Sequence, residues 1–195
     1  MKKIISSPPV LLMAVLCVSS TTAIAAPPPV VTVDGGTINF TGSIVNTACS
    51  IEVGSDDQTV SLGQVRADAF TAKGDRSTPV LFSVKLSDCA LAKSATPDID
   101  AYSNVALQFS GVTATTDNTV LGLSNSGDGG NANNIGIQIL DGGVPVAVNG
   151  SAATPKHLLG EGENTLSFAA AYVATAPGVT AGSASAMANF KLIYE

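Results

Sequence analysis

The stretch GSASAMANFKLIYE, Gly182–Glu195, decides the fold of this chain. Every second residue after Gly182 is small or apolar, and these residues are Ala184, Ala186, Ala188, Phe190, Leu192 and Tyr194. This period of two is typical of a β-strand with one buried face. The predicted strand ends one residue before the end of the sequence, so we expect another protein chain to pair with it.

The chain begins with the pattern of an export signal. Lys2 and Lys3 precede the apolar run Val10–Val18, and Ala23–Ala25 has the small residues of a cleavage site. We expect cleavage after the last of these alanines, or after Ala26 as the alternative, and interpret residues 1–25 as a signal peptide. The apolar run is too short to span a bilayer, which takes about 20 helical residues.

The composition of residues 26–195 limits the classes of partner. Two of the nine basic residues lie in the signal peptide, so seven remain against fifteen acidic residues, a net charge of −8. The acidic residues are scattered along the chain, which disfavours nucleic acid and anionic lipid as partners. The length suits one domain with a sizeable core.

Only Cys49 and Cys89 remain after cleavage. Two cysteines in an exported chain predict one disulfide, and two free buried thiols are the alternative. In the chain-entropy model, closing a loop of this length stabilises the fold by about 4 kcal/mol.

After the predicted signal peptide the sequence has no helical periodicity of useful length. It has short segments in which every second residue is apolar, separated by Gly, Asn, Asp and Pro. Clear examples are Val80–Leu86 and Leu166–Tyr172, and residues 134–149 have the pattern of a hairpin around Asp141-Gly-Gly143. Roughly seven to nine such segments predict an all-β sandwich of immunoglobulin-like type.

The segment before this predicted sandwich differs from it. Three prolines at positions 27–29 favour an extended backbone without ladder hydrogen bonds. Ile38 and Phe40 follow in the same exposed tail, although burying each would contribute about 1.5–3 kcal/mol. We therefore expect these two side chains to be buried against something else.

Several blocks occur in order along the chain: Thr32–Gly42, Gly42–Cys49, Gln58–Val65, Leu86–Cys89, Asn134–Asp141, Phe168–Tyr172, Gly182 and the penultimate Tyr194. Together they resemble the major structural pilins of chaperone–usher (type 1) fimbriae. The resemblance implies an incomplete immunoglobulin-like β-sandwich that lacks its last strand. A donor strand from another subunit would complete this all-β fold by β-augmentation.

The resemblance also implies a division of roles along the chain. Residues 26–41 would be the donor-strand extension and residues 42–195 the pilin domain. The donor side chains would be Val30, Thr32, Asp34, Gly36, Ile38 and Phe40. The acceptor groove and chaperone-binding strand would comprise Gly182, Ala184, Ala186, Ala188, Phe190, Leu192, Tyr194 and Glu195, and basic residues of the chaperone would grip the C-terminal carboxylate of Glu195.

The partners implied are identical pilin subunits in a fibre, a periplasmic chaperone and an outer-membrane usher. Host surface receptors would be reached through tip subunits, and the fibre would lie outside the cell after export through the periplasm. The resemblance implies no cofactor. A minor or adapter subunit, or a small glycan-binding adhesin, is the alternative.

Catalysis has little support in the sequence. His157 is the only histidine, and its neighbours Pro155 and Lys156 predict an exposed loop. No serine lies in a nucleophile motif, and no His/Cys cluster suggests a metal site. We therefore expect a subunit that is not an enzyme.

Overall fold

The protein is described by a computed structural model that covers residues 29–91, 102–114, 117–124 and 130–195. The predicted signal peptide and its predicted cleavage site lie outside the described residues. The chain divides into two compact units, Met1–Gly42 and Ser43–Glu195. Within the described residues, no helix is long and apolar enough to cross a membrane.

The described part of the first unit, residues 29–42, contains no helix or strand. All of its side chains are exposed, including Ile38 at 77% and Phe40 at 88%. Gly36 has a φ of 107°, a backbone conformation that glycine adopts without steric cost.

The described part of the second unit contains short strands and one 3-10 turn at Ala67–Ala69. The strands are β1 (Ser50–Ile51), β2 (Val80–Cys89), β3 (Asn104–Gly111), β4 (Val120–Leu121), β5 (Ile135–Asp141), β6 (Val144–Pro145), β7 (His157–Leu158), β8 (Gly162–Ala174) and β9 (Ala188–Tyr194).

These strands form two antiparallel sheets. The larger sheet has the order β1-β2-β8-β5-β4, with β6 beside β5, and the smaller sheet has the order β7-β3-β9. Burial alternates along Val84–Leu86 of β2 and Leu166–Phe168 of β8, as the sequence pattern predicts, whereas the second half of β8 is buried on both faces. The predicted all-β, immunoglobulin-like sandwich is confirmed.

The core lies between the two sheets and centres on Phe168 of β8, which is 1% exposed. The Phe168 ring lies 5.7 Å from Phe82 of β2 and 5.5 Å, edge-on, from Phe109 of β3. Such aromatic pairs add to the free energy gained by burying their area. The core therefore ties the central strands of both sheets together.

Cys49 and Cys89 form a disulfide that joins the residue before β1 to the last residue of β2. Both cysteines are buried at 3% exposure. The β2–β8 register shifts between Leu86 and Cys89, and Asp88 has a φ of 52° at this irregularity. The disulfide therefore fixes the chain before β1 to the end of β2 in the larger sheet.

Removing the disulfide should cost much of the stability of the subunit. We expect the double variant Cys49→Ala/Cys89→Ala to lose about 4 kcal/mol of unfolding free energy, since the unfolded chain regains loop entropy. Thermal and urea unfolding of the purified subunit measure the loss. Reduced wild type should behave like the double variant, and equal melting of oxidised and reduced wild type would contradict the prediction.

Two predicted elements are shorter in the structure. Strand β9 begins at Ala188 and not at Gly182, because β3 ends at Gly111, the residue opposite Ala188. The predicted hairpin forms with Asp141 opposite Val144, but β6 has only two residues because Pro145 has no N–H to donate.

The predicted exposed loop around His157 is wrong. His157 begins strand β7, and its Nε2 lies 2.9 Å from Oδ2 of Asp141 on β5. Its ring also lies edge-on to the core ring of Phe168, 5.7 Å away. The contact therefore links the two sheets, and residues distant in sequence give this histidine its half-buried position.

Candidate functional site

Strand β9 has an open edge. Among the described residues β9 pairs with β3 alone. Glu195 and Asn104 exchange both backbone hydrogen bonds at 3.0 Å, so the odd-numbered residues of β9 face β3. The N–H and C=O groups of the even-numbered residues Ala188, Phe190, Leu192 and Tyr194 consequently point away from β3.

The bonds on the far side of β3 agree with this alternation. Gly150 N donates to Phe109 O at 2.9 Å, and Thr154 N donates to Leu107 O at 2.7 Å. The odd-numbered residues of β3 therefore bond the chain after β6, and only its even-numbered residues bond β9. This leaves β3 paired on both sides and β9 paired on one.

An apolar floor lies beside the open edge. The side chains of Ala186, Ala188, Phe190, Leu192 and Tyr194 are half-buried and pack against the core, and Ala184 is half-buried as well. We call residues 184–194 the β9 edge. Its floor is made of alanines at the N-terminal end and of large side chains at the C-terminal end.

A second stretch of unpaired backbone lies at residues 59–65, which we call the facing segment. No backbone hydrogen bond is formed by these residues with the rest of the described chain. Val60 and Leu62 are half-buried, while Ser61 between them is exposed. Gln58 Nε2 anchors the start of the segment by donating to Ser55 O at 3.0 Å and to Ser83 O at 2.8 Å.

The β9 edge and the facing segment meet at a cavity of about 360 Å³, the end cavity. Gly63, Gln64 and Val65 line one side, and Gly182 and Ala184 line another. Its other lining residues are Ala67, Phe70, Ala132, Ile135, Tyr172, Val179, Thr180 and Ala181. This space has a mixed polar and apolar lining and lies at the end of the floor where the side chains are smallest.

Tyr194 closes the opposite end of the floor. Its hydroxyl donates to Cys49 O at 3.4 Å, and its ring lies 5.9 Å from that of Tyr102. Burial raises the pKa of the Tyr194 hydroxyl, so it stays a neutral donor at physiological pH. From Ala184 to Tyr194 a strand partner would extend about 34 Å, or about ten residues.

Gly182 is required by a close backbone approach. A Cβ at this position would lie 2.3 Å from Ala132 N and 2.5 Å from Asn131 C. Ser183 N donates to Gly130 O, and Ala132 N donates to Ser183 O, each at 3.0 Å. The glycine thus lets residues 130–132 pair with the chain that leads into the β9 edge.

Gly182→Ala should therefore destabilise the subunit. Because the new methyl group would meet backbone atoms that cannot move independently, we expect a loss of about 1–3 kcal/mol of unfolding free energy. Chemical denaturation measures the loss. Gly160→Ala is the matched control, since its Cβ would meet only Asn164 Oδ1 at 3.8 Å; equal stability of the two variants would contradict the prediction.

Glu195 lies beyond β9 and is held by two groups. Its backbone oxygen accepts hydrogen bonds from Ser103 N and Asn104 N at 3.0 Å each, and its carboxylate pairs with Lys156. Both side chains of this ion pair are about half exposed, so the pair contributes little stability. No local pattern in the sequence marks Lys156 as a partner of Glu195.

The predicted donor residues are all exposed. Val30, Thr32, Asp34, Gly36, Ile38 and Phe40 lie in the first unit, where the described residues form no strand. Among the described residues no group of three or more His, Cys, Asp or Glu side chains is arranged to hold a metal ion.

A family model for fimbrial protein matches residues 38–195. The chain belongs to the fimbrial protein family. It is 42% identical over 166 residues to fimbrial subunit type 1 of Salmonella typhimurium, with 85% of each chain covered. It is 40% identical over 166 residues to the type-1 fimbrial protein A chain of Escherichia coli K12, with 84% of this chain and 86% of that one covered.

Solved structures of pilus subunits are similar to this fimbrial chain. A chaperone–usher pilus structure matches with a TM-score of 0.68 and 28% identity, covering 86% of this chain and 100% of that one. The P pilus rod subunit PapA matches with a TM-score of 0.60 and 25% identity, covering 76% of this chain and 100% of that one. The chain is thus a structural subunit of a chaperone–usher fimbria, exported through the periplasm to the cell surface and polymerised with other pilins.

Proposed function

We propose that residues 26–41 of one subunit bind as a strand between the β9 edge and the facing segment of another. One observation carries this proposal: in the strand part of the β9 edge, Ala188–Tyr194, outward-pointing backbone groups without a described backbone partner lie beside a half-buried apolar floor. A strand in this position would form ladder hydrogen bonds with β9, and with the facing segment on its other side. Each subunit would then complete the sandwich of the next one, and the fibre would grow by donor-strand exchange.

The donor segment has the side chains that such a floor needs. Ile38 and Phe40 are exposed in the isolated subunit, and burying them would contribute about 1.5–3 kcal/mol each. Val30, Thr32, Asp34 and Gly36 have the same parity and would face the floor as well. The backbone of the first unit would have to become extended, including Gly36, whose φ is now positive.

Side-chain sizes favour a donor that runs antiparallel to β9. The bulky Ile38 and Phe40 are at the C-terminal end of the donor, whereas the end cavity and the alanines are at the N-terminal end of the β9 edge. In the antiparallel orientation the bulky donor side chains would lie against the end cavity and the alanines, where there is room for them. In the parallel orientation Ile38 and Phe40 would meet Phe190, Leu192 and Tyr194, which already occupy their part of the floor.

Before assembly, we propose that a strand of the periplasmic chaperone covers the same edge. Alternate side chains Phe190, Leu192 and Tyr194 would pack on that strand, and chaperone cations would bind the C-terminal carboxylate of Glu195. The chaperone would then deliver the subunit to an outer-membrane usher. The subunit itself would have a purely structural, non-catalytic role.

Paired cysteine variants test the donor and its orientation together. We expect Ile38→Cys/Ala184→Cys subunits to form a ladder of disulfide-linked multimers in assembled fibres, because the two positions meet in the antiparallel orientation. Ile38→Cys/Leu192→Cys is the matched control and should give little cross-linking. Non-reducing gels of sheared fibres measure both. The reverse pattern would contradict the orientation, and no ladder from either pair would contradict the donor assignment.

A further inference from the structure

The donor segment contains the dipeptide Asp34–Gly35, which no described residue covers in the isolated subunit. Both residues are exposed and outside any strand or helix. The side chain of Asp34 forms no hydrogen bond or ion pair with the described residues. A Cβ placed on Gly35 would have no atom within 4 Å, so the described residues do not crowd the side of Gly35 where this Cβ would lie.

We propose that Asp34–Gly35 is a site of spontaneous isoaspartate formation in unassembled subunits, and that assembly suppresses this modification. The first half follows from the exposed dipeptide alone. The second half rests on the proposed function, because it requires residues 26–41 to become a strand in a neighbouring subunit.

The reaction needs no oxidant, reductant or co-reactant except water. The Gly35 nitrogen attacks Cγ of Asp34, so that an N–C bond forms, the C–OH bond breaks, and the amide proton and hydroxyl group leave as one water molecule. The resulting five-membered succinimide is hydrolysed by one water molecule at either carbonyl. One product is the original aspartate, and the other is an isoaspartate in which the chain continues through the side-chain carboxyl group.

Isoaspartate at position 34 would damage the donor strand. The backbone gains one extra carbon between residues 34 and 35, so the side-chain period of two is broken at that point. Residues Val30 and Thr32 on one side would then no longer share a face with Ile38 and Phe40 on the other. Since register decides which side chains enter the floor, the modified segment would be a poor donor.

A second dipeptide of the same kind, Asp141–Gly142, is a reference within the same molecule. Its Asp141 carboxylate oxygen lies 2.9 Å from Nε2 of His157, and its backbone pairs with Val144 in the β5–β6 hairpin. Ring closure there would break the contact with His157 and distort the hairpin. We therefore expect slow modification at Asp141. The remaining dipeptide of this kind, Asp128–Gly129, lies outside the described residues.

Assembly would protect Asp34 by the same physical means. Closing the succinimide ring requires the Gly35 nitrogen to rotate towards Cγ of Asp34, and an extended strand directs it towards the neighbouring strand. Only transient local opening of the fibre would allow the reaction. Because strands within a sheet open rarely, the rate should fall by roughly tenfold or more on assembly.

The experiment ages unassembled full-length subunit and assembled fibres at 37 °C and neutral pH. Peptide mass spectrometry with electron-transfer fragmentation then quantifies isoaspartate at positions 34 and 141. We expect unassembled wild type to accumulate roughly tenfold or more isoaspartate at 34 than at 141, and fibres to accumulate little at either position. Asp34→Glu keeps the charge but would need a six-membered ring, so ageing should leave the assembly yield of Asp34→Glu at the level of its own fresh sample, whereas ageing should lower the assembly yield of wild type.

The outcomes separate this inference from the proposed function. Equal isoaspartate content at positions 34 and 141 in the unassembled subunit would contradict the proposal that Asp34–Gly35 is a preferred site of this modification. Equal modification of position 34 in subunits and fibres, when the Ile38/Ala184 cysteine pair does cross-link, overturns protection by assembly but leaves the donor assignment intact. If position 34 is modified equally in subunits and fibres and the Ile38/Ala184 cysteine pair does not cross-link, the donor assignment itself has failed.

Discussion

A subunit that lacks residues 26–41 should fold and accept a donor strand, yet the next subunit should not be able to follow it into the fibre. The deletion leaves the signal peptide and the whole of residues 43–195 in place, including the disulfide and the β9 edge. Its β9 edge can still bind the donor of another copy. The neighbour that needs its donor, however, would keep an apolar floor and unpaired backbone exposed.

Expression of the deletion variant alone should give no fibres, because every contact between successive subunits requires one donor. Co-expression with wild type should shorten the fibres in proportion to the fraction of variant, since each incorporated copy ends growth. Electron microscopy of sheared surface material measures fibre yield and length. The fraction of soluble, disulfide-bonded subunit in the periplasm controls for folding.

Two results would contradict the donor assignment. One is normal fibre length from the deletion variant alone. The other is a co-expression experiment in which the variant is soluble and abundant but leaves the length of wild-type fibres unchanged. Loss of soluble variant would instead report a folding defect, and adding a synthetic peptide of residues 26–41 should then restore its solubility by filling the β9 edge.

The long central strands were predictable because their patterns are self-sufficient. Val84 and Leu86 on β2 and Leu166 and Phe168 on β8 alternate with exposed residues over enough length to define a buried face. The hairpin turn was predictable for a similar reason, since Asp141-Gly-Gly143 has the chemistry that a tight turn requires. In these elements, the local pattern and the tertiary contacts favour the same structure.

The start of β9 and the position of His157 were not predictable, because both depend on contacts distant in sequence. The alternation from Gly182 continues smoothly into β9, but the strand begins only where Gly111 of β3 lies opposite Ala188. His157 follows a proline and a lysine, which favour an exposed loop. Its actual position is set by Asp141 and Phe168, which its own neighbours do not reveal.

The candidate site was half predictable. The β9 edge and the donor segment each have a pattern that the sequence shows, small or apolar residues at alternate positions. The facing segment was missed, although Gln58–Val65 is one of the blocks that carry the resemblance, because a sequence pattern says nothing about whether backbone groups have partners. This segment differs from an ordinary strand because residues 59–65 form no backbone hydrogen bonds with the rest of the described chain.

Ile38→Asp should nearly abolish assembly, whereas Thr37→Asp should have a small effect. The two positions are adjacent in the exposed donor segment, so neither change should affect the stability of the isolated subunit. In the fibre, however, Ile38 would face the floor of the β9 edge and Thr37 the solvent. Ile38→Asp loses about 1.5–3 kcal/mol of apolar burial and adds the cost of an unpaired buried carboxylate.

The two losses together exceed roughly 3 kcal/mol, which lowers the equilibrium for each donor contact by a factor of about 100 or more. Fibre yield per unit of soluble subunit measures the effect, and the melting temperature of each unassembled variant controls for folding. Because both variants add the same charge one residue apart, general repulsion between subunits would affect them equally. Equal yields would therefore contradict the alternation of the donor strand, and a defect larger at Thr37 would show that the opposite face of the donor enters the groove.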